Sequence, residues 1–207
     1  MPERLFNSSA QPLSLEALAK MASICTRCTL RTTRTQAVFS DGNPEASVML
    51  IGEAPGQNED ETGVPFVGRA GQLLTQMLAS VGIDRQRDMY ICNVVKCRPP
   101  QNRKPKPQEM AACFPYLEGQ IQVVRPSIIL LAGATAVQDI LKTREGITKI
   151  RGRWFETPYG GKAMPLFHPS YLLRNPSSKP GSPKALMLQD LKTVRQEMER
   201  LGVFVSG

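Results

Sequence analysis

The apolar positions of this chain change their period repeatedly, and each change marks an element. Leu15, Leu18, Ala19 and Ala22 recur every three or four residues, so a helix is expected to run into Ile24. Val48 to Ile51 is a short, continuous, β-rich apolar run, the signature of a buried strand. Helical spacing returns at Leu73, Leu74, Met77, Leu78 and Val81 and is closed by Gly82. Tyr90 to Val95 predicts a second strand, and Glu109 opens a helix through Cys113, Leu117, Ile121 and Val124 that stops before Pro126. Ile128 to Leu131 is again wholly apolar and strand-like, and Gly133 opens a helix through Val137, Ile140 and Leu141. Trp154 to Thr157 and Ala163 to Phe167 predict two strands joined around Gly160-Gly161. Leu188, Leu191, Val194, Met198 and Leu201 mark a C-terminal helix. Residues 1 to 12 are expected to form a loose leader, and Thr29 to Gly42 a surface loop.

Strands that alternate with helices imply a mainly parallel sheet covered on both faces. No internal repeat or linker interrupts the pattern, so one α/β domain is expected over residues 1 to 207. Met1 to Lys20 lacks the basic start and apolar block of a secretory signal, and no apolar run approaches the roughly 20 residues that cross a bilayer. The expected location is the cytoplasm, or the nucleus in a cell that has one, with no membrane partner. Lys and Arg number 26 against 18 Asp and Glu, a net charge of +8. That balance suits either a polyanionic partner or a generally basic surface. The charge gathers in Arg98 to Lys106, Lys142 to Arg153 and Arg174 to Lys184.

The five cysteines change the picture further. Without a secretory signal they suggest metal ligation more than a disulfide framework. Cys25 and Cys28 form a CxxC, and Cys97 and Cys113 flank a basic, proline-rich stretch, RPPQNRKPKP, that cannot be a regular helix or central strand. Four thiolates meeting in space would hold either a [4Fe–4S] cluster or Zn²⁺, and spacing leaves the two open. Cys92, inside an apolar strand, is expected to be a small core side chain.

Candidate chemistry sits at strand ends. Glu53 follows the first strand, Asn93 lies late in the second, and His168, the single histidine, follows Ala163 to Phe167. In a parallel sheet the carboxyl ends share one edge, so these groups are expected to converge. The stretch after the first strand, GEAPGQNEDETGVPFVGRAG, adds Glu59, Asp60 and an isolated Phe66 among glycines, as a ligand-binding loop does.

That stretch, together with NVVKCRPPQNRKP, HPSYLLR and the four cysteines, closely resembles the family-4 uracil-DNA glycosylases, from about Ala19 to Leu201. The resemblance implies a three-layer αβα sandwich around a four-stranded parallel sheet, with a [4Fe–4S] cluster on Cys25, Cys28, Cys97 and Cys113. It matches Phe66 to the ring that stacks on a flipped uracil, Asn93 to the side chain that reads its polar edge, and His168 to the histidine beside uracil O2. Backbone amides near Gly52 would help hold the leaving anion, and Glu53, Glu59 and Asp60 fall on the motif whose acids serve the sugar cation or the attacking water.

Arg98, Arg103, Lys104, Lys106 and Arg174 are the candidates for phosphate contacts, and one of Leu172 and Leu173 is expected to wedge into the gap left by the flipped base. The implied activity is monofunctional hydrolysis of deoxyuridine in DNA, leaving an abasic site for base-excision repair, by a monomer whose partner is uracil-containing DNA. Two departures stand out. Ala54 and Gly56 occupy positions where better-known glycosylases of another family carry Asp and Tyr, and Arg98 to Pro107 lacks the histidine that makes a covalent bond to DNA in related proteins. The alternative is a non-catalytic iron–sulfur DNA-binding module associated with repair or a polymerase. A zinc-stabilised nucleotide hydrolase is disfavoured by the lack of a Walker-type loop.

Overall fold

The computed structural model describes residues 14–203, so the predicted leader at residues 1 to 12 lies outside the described residues. Four strands run parallel through its centre: β2 (Val48–Gly52), β3 (Met89–Asn93), β4 (Ile128–Ala132) and β6 (Lys162–Leu166). Nearly every residue in them is buried, which explains their continuous apolar reading. Two-residue strands, β1 (Asp41–Gly42) beside β3 and β5 (Phe155–Glu156) beside β6, extend this sheet antiparallel to six strands in the order β1-β3-β2-β4-β6-β5. The expected four-stranded sheet is therefore the parallel centre of a larger mixed one. β1 falls in the stretch expected to be wholly loop, because two residues carry no alternation to read.

Helices cover both faces, giving the three αβα layers. Met49, Ile51, Ile129 and Leu131 pack beneath α1 (Leu15–Ser23), α4 (Pro107–Val124) and α5 (Ala134–Leu141). Their strand neighbours Val48, Leu50, Ile128 and Leu130 point the other way, into α3 (Arg69–Ser80) and α8 (Pro183–Arg200). Three short helices escaped the periodicity analysis: α2 (Gln57–Thr62), α6 (Ile147–Ile150) and α7 (Pro169–Arg174). Each is four to six residues long, less than two full turns of pattern. Most of HPSYLLR is thus a short helix capped by His168. Among the described residues no helix is long and apolar enough to cross a membrane.

Register places the site. Gly52 pairs with Asn93 at the ends of β2 and β3, and Ala132 pairs with Leu166 at the ends of β4 and β6. All four strands therefore empty onto one edge, with Glu53 and His168 one and two residues beyond their strands.

Candidate active site

A cavity opens at that edge, and Glu53, Glu59, Phe66, Asn93 and His168 all line it. Its floor is built on one missing side chain. A Cβ at Gly52 would overlap both the Asn93 carboxamide oxygen and the Phe66 ring, so the amide and the ring approach each other only over glycine. Asn93 and Phe66 are both buried, and the Phe66 ring centroid lies 6.1 Å from that of His168.

Phe66 has a φ of 55°, a left-handed conformation rarely adopted by a bulky residue. Three features hold it there. Gly71, in the first turn of α3, lies so close to the Phe66 carbonyl that any Cβ would strike it. Arg85 donates from Nη1 to the Phe66 carbonyl at 2.7 Å and from Nη2 to the Pro65 carbonyl at 2.9 Å. The same guanidinium is anchored by Asp41 Oδ2 at 2.7 Å and Thr75 Oγ1 at 3.1 Å.

The three acids of the loop separate. Glu59 accepts from the amides of Gly56 (3.1 Å), Val67 (3.0 Å) and Gly68 (2.8 Å), stapling the loop between α2 and α3. Asp60 is buried and both of its oxygens accept from the Thr35 amide at 3.0 Å. It is not among the residues that line the cavity, contrary to its expected place beside the other two acids. Glu53 is the acid with capacity left: its Oε2 accepts from the Thr135 hydroxyl, and the side chain lies in the cavity wall.

His168 is the N-cap of α7, which its Pro169 enters at the first position. Its Nδ1 accepts from the Ser170 amide at 3.2 Å and sits 2.8 Å from the Ser170 hydroxyl. Burial lowers its pKa, opposed by the nearby Glu53 charge and reinforced by Arg174. The ring is therefore neutral at pH 7, and with Nδ1 accepting, the proton resides on Nε2.

The proline-rich stretch forms one wall. Pro100–Asn102 is a 3-10 turn with Gln101 and Asn102 at φ 55°, and Arg98 Nε donates to Asn102 Oδ1 at 2.8 Å. Arg103 lines the cavity, but its guanidinium is bidentate on Glu109, at 2.8 and 2.7 Å. Lys104 Nζ reaches Gln138 Oε1 at 3.4 Å, and Lys106 is the N-cap residue of α4. On α7 the two leucines differ: Leu172 is 1% exposed and belongs to the core, whereas Leu173 is 36% exposed.

Away from this cavity, Cys25, Cys28, Cys97 and Cys113 line a single hollow together with Arg34, Lys96 and Tyr116. Arg34 Nη1 donates to Cys97 Sγ at 3.0 Å, and the Lys96 amide donates to Cys113 Sγ at 3.3 Å. Burial raises the thiols of Cys28, Cys97 and Cys113, the last to about 12, so their thiolates need a cationic partner. Among the described residues no three His, Cys, Asp or Glu side chains close around the position of a single ion. Cys92 is fully buried in β3 and takes no part in the hollow.

Arg85, Glu109 and Thr135 are the supporting residues that sequence reasoning missed. Thr135 had a signal, a hydroxyl two residues after the glycine that opens a helix behind a buried strand. Arg85 had none, since its partners are distant in sequence.

Residues 39–192 match the model of the uracil DNA glycosylase superfamily. The chain is 43% identical over 189 residues to the Type-4 uracil-DNA glycosylase of Thermotoga maritima, covering 91% of this chain and 96% of that one. It is 41% identical over 170 residues to the Type-4 uracil-DNA glycosylase of Archaeoglobus fulgidus, covering 79% and 85%. A DNA polymerase of Bacillus phage SP01 is 33% identical over 148 residues, which is 72% of this chain and 16% of the polymerase.

Proposed function

The chain belongs to the uracil DNA glycosylase superfamily, and from that premise we propose that it hydrolyses the N-glycosidic bond of flipped deoxyuridine in DNA, initiating base-excision repair. The observation that carries this reading is the convergence of an acid, a platform ring, a buried amide and a neutral histidine on one cavity. A base in a duplex is out of reach, so it must be extruded, and Phe66 replaces part of the stacking it loses. The Asn93 amide donates to uracil O4 and accepts from N3–H. Cytosine presents the reverse polarity there and would leave buried polar groups unpaired.

Breaking the C1′–N1 bond sends the bonding pair into the uracil ring, with charge concentrated near O2. His168 donates from Nε2 to that oxygen and does not need to give up its proton to do so. The sugar is left electron-poor at C1′. Glu53 faces that charge, orients the attacking water and takes its proton as the new C1′ hydroxyl forms. Glu59 keeps the loop in shape, and Asp60 holds the loop to the preceding segment at Thr35. Leu173 is the residue that fills the gap in the stack, while Arg98, Lys104, Lys106 and Arg174 receive phosphates and Arg103 stays with Glu109. One copy supplies every one of these groups, so a monomer suffices for the reaction.

The cysteine hollow fits a [4Fe–4S] cluster. Four sulfurs reach it from three segments, Cys25 with Cys28, Cys97 and Cys113, and two of them already accept N–H···S bonds. Cys25, Cys28, Cys97 and Cys113 would hold the cluster, which would tie the N-terminal segment and α4 to the end of β3.

The test is incubation of purified protein with a uracil-containing oligonucleotide, followed by alkali to cut abasic sites. Cleavage at uracil and not at cytosine is expected; an intact strand at every salt concentration refutes the reading. About four iron and four sulfide per chain are expected in the anaerobically prepared protein; zinc in their place refutes the cluster. The non-catalytic alternative is not favoured. The glycosylases match across most of their length, and the polymerase across only 16% of its own.

A further inference from the structure

Glu53 is the acid assigned to the water, yet its carboxylate has little to hold it. Its neighbour Glu59 is fixed by three backbone amides. Among the described residues, the Glu53 side chain receives one hydrogen bond, from the Thr135 hydroxyl to Oε2. A carboxylate rotates readily about its last torsion, so nothing in the side chain itself fixes the plane of the group. Thr135 removes that freedom by occupying one oxygen, which leaves the other for the water.

Thr135 is itself well placed to impose direction. It is 2% exposed, β-branched and in the first turn of α5, so its hydroxyl has few alternatives. The same turn also touches the second reacting group. Gly133 caps α5 at a φ of 92°, and a Cβ there would stand 3.0 Å from the His168 Cβ. The junction Gly133-Ala134-Thr135 thus backs both groups that face the scissile bond, the acid on the sugar side and the histidine on the base side.

We propose that Thr135 is a positioning residue for hydrolysis: by holding one oxygen it fixes the plane of the Glu53 carboxylate, so that the other oxygen presents to the attacking water in one orientation. The inference rests on the assignment of the water to Glu53. Thr135 is not among the residues that line the cavity, so its loss should act on the chemical step and spare binding.

Four variants test it in the full-length protein: Thr135→Val, Thr135→Ser, Glu53→Gln and the double variant Thr135→Val/Glu53→Gln. Single-turnover excision from a uracil oligonucleotide should fall about 10- to 100-fold in Thr135→Val, the range for one hydrogen bond to a charged group. Affinity for a non-hydrolysable deoxyuridine analogue in DNA should stay within about twofold. Thr135→Ser restores the donor and should return the rate to within about threefold. In the Glu53→Gln background, Thr135→Val should have little further effect, because the group it positions is gone. If Thr135→Val keeps its rate while Glu53→Gln loses it, the inference fails and the assignment of Glu53 stands. Full activity in Glu53→Gln overturns that assignment itself. Equal damage from Val and Ser, or a parallel loss of binding, would mean that Thr135 is only a packing residue. Should Thr135→Val not fold, Thr135→Ala with the same serine comparison decides the matter.

Discussion

Replacing Arg85 with methionine tests whether the stacking ring is held by a clamp remote from the cavity. Methionine keeps an apolar stem and deletes four hydrogen bonds, to Phe66 O, Pro65 O, Thr75 Oγ1 and Asp41 Oδ2. The Arg85 and Asp41 side chains are only 12% and 19% exposed. Removing one partner of a buried pair costs about 3–5 kcal/mol. Asp41 keeps the Gln86 amide at 2.8 Å and some solvent, so the lower end, about 3 kcal/mol, applies. With a urea slope of about 2–3 kcal/mol/M, the midpoint should drop by about 1 M or more.

The functional loss is separate. A bulky residue in the left-handed region costs about 1–2 kcal/mol, and without the clamp the turn relaxes and carries the ring off Gly52 and Asn93. Losing one base–aromatic stack is worth about 1–3 kcal/mol, or about 5- to 150-fold in kcat/KM. Adding Asp41→Asn removes the orphaned charge and should recover stability in part, while excision stays low. An Arg85→Met protein within about 0.5 kcal/mol and twofold of the parent would refute the reasoning.

Four further outcomes follow from the same geometry. Gly52→Ala should cut excision at least about 100-fold for a stability loss of about 1–3 kcal/mol, because the new methyl must displace both Asn93 and Phe66; single-turnover rates and urea melts read the two effects. His168 has a folded pKa lowered by burial, so below the unfolded value of about 6.5 the unfolded chain binds a proton that the folded one refuses. Its contribution is therefore a loss of stability as pH falls from about 6.5 towards the folded value, and His168→Gln should lose less between pH 7.5 and 5.5 than the parent. Leu172→Ala should cost about 2–5 kcal/mol as a core truncation. Leu173→Ala should leave stability unchanged and slow excision from duplex more than from single-stranded DNA.

The sequence made the parallel sheet legible because buried parallel strands are continuous apolar runs, and Val48 to Ile51 and Ile128 to Leu131 are unmistakable as such. It made Glu53, Asn93 and His168 legible because strand ends share an edge, a rule of topology that needs no coordinates. It failed where a residue's task depends on partners elsewhere in the fold. Glu59 and Asp60 are neighbours in an acidic run, and nothing local distinguishes the one that staples three amides at the cavity wall from the one buried against Thr35. Arg85 lies in a polar stretch after α3 and looks like any surface arginine, yet it holds a strained turn 19 residues away. The short helices failed for a plainer reason: α2 and α7 are too brief to repeat a pattern, and their caps are set by Glu59 and His168, residues already noted for chemistry.

The cysteine hollow and the base cavity look like separate sites, but α4 begins between them. Glu109, in its first turn, accepts from Arg103 in the cavity wall, from the Lys106 amide, and from Thr29, the residue after Cys28. Cys113 follows one turn later on the same helix. The Arg103 charge, the Lys106 amide and the Thr29 hydroxyl together hold the Glu109 carboxyl down to about 2 despite its burial. Its contribution to stability is therefore present above the usual carboxylate range and lost as pH falls from about 4.5 towards 2. One carboxylate thus joins a cysteine-bearing segment to the cavity wall that carries Arg103. A group bound by the four sulfurs would stiffen both ends of that connection at once, because Cys28 and Cys113 flank Glu109 through Thr29 and through α4. A cluster held there would fasten the wall formed by residues 98–106, and no residue that lines the base cavity lines the cysteine hollow.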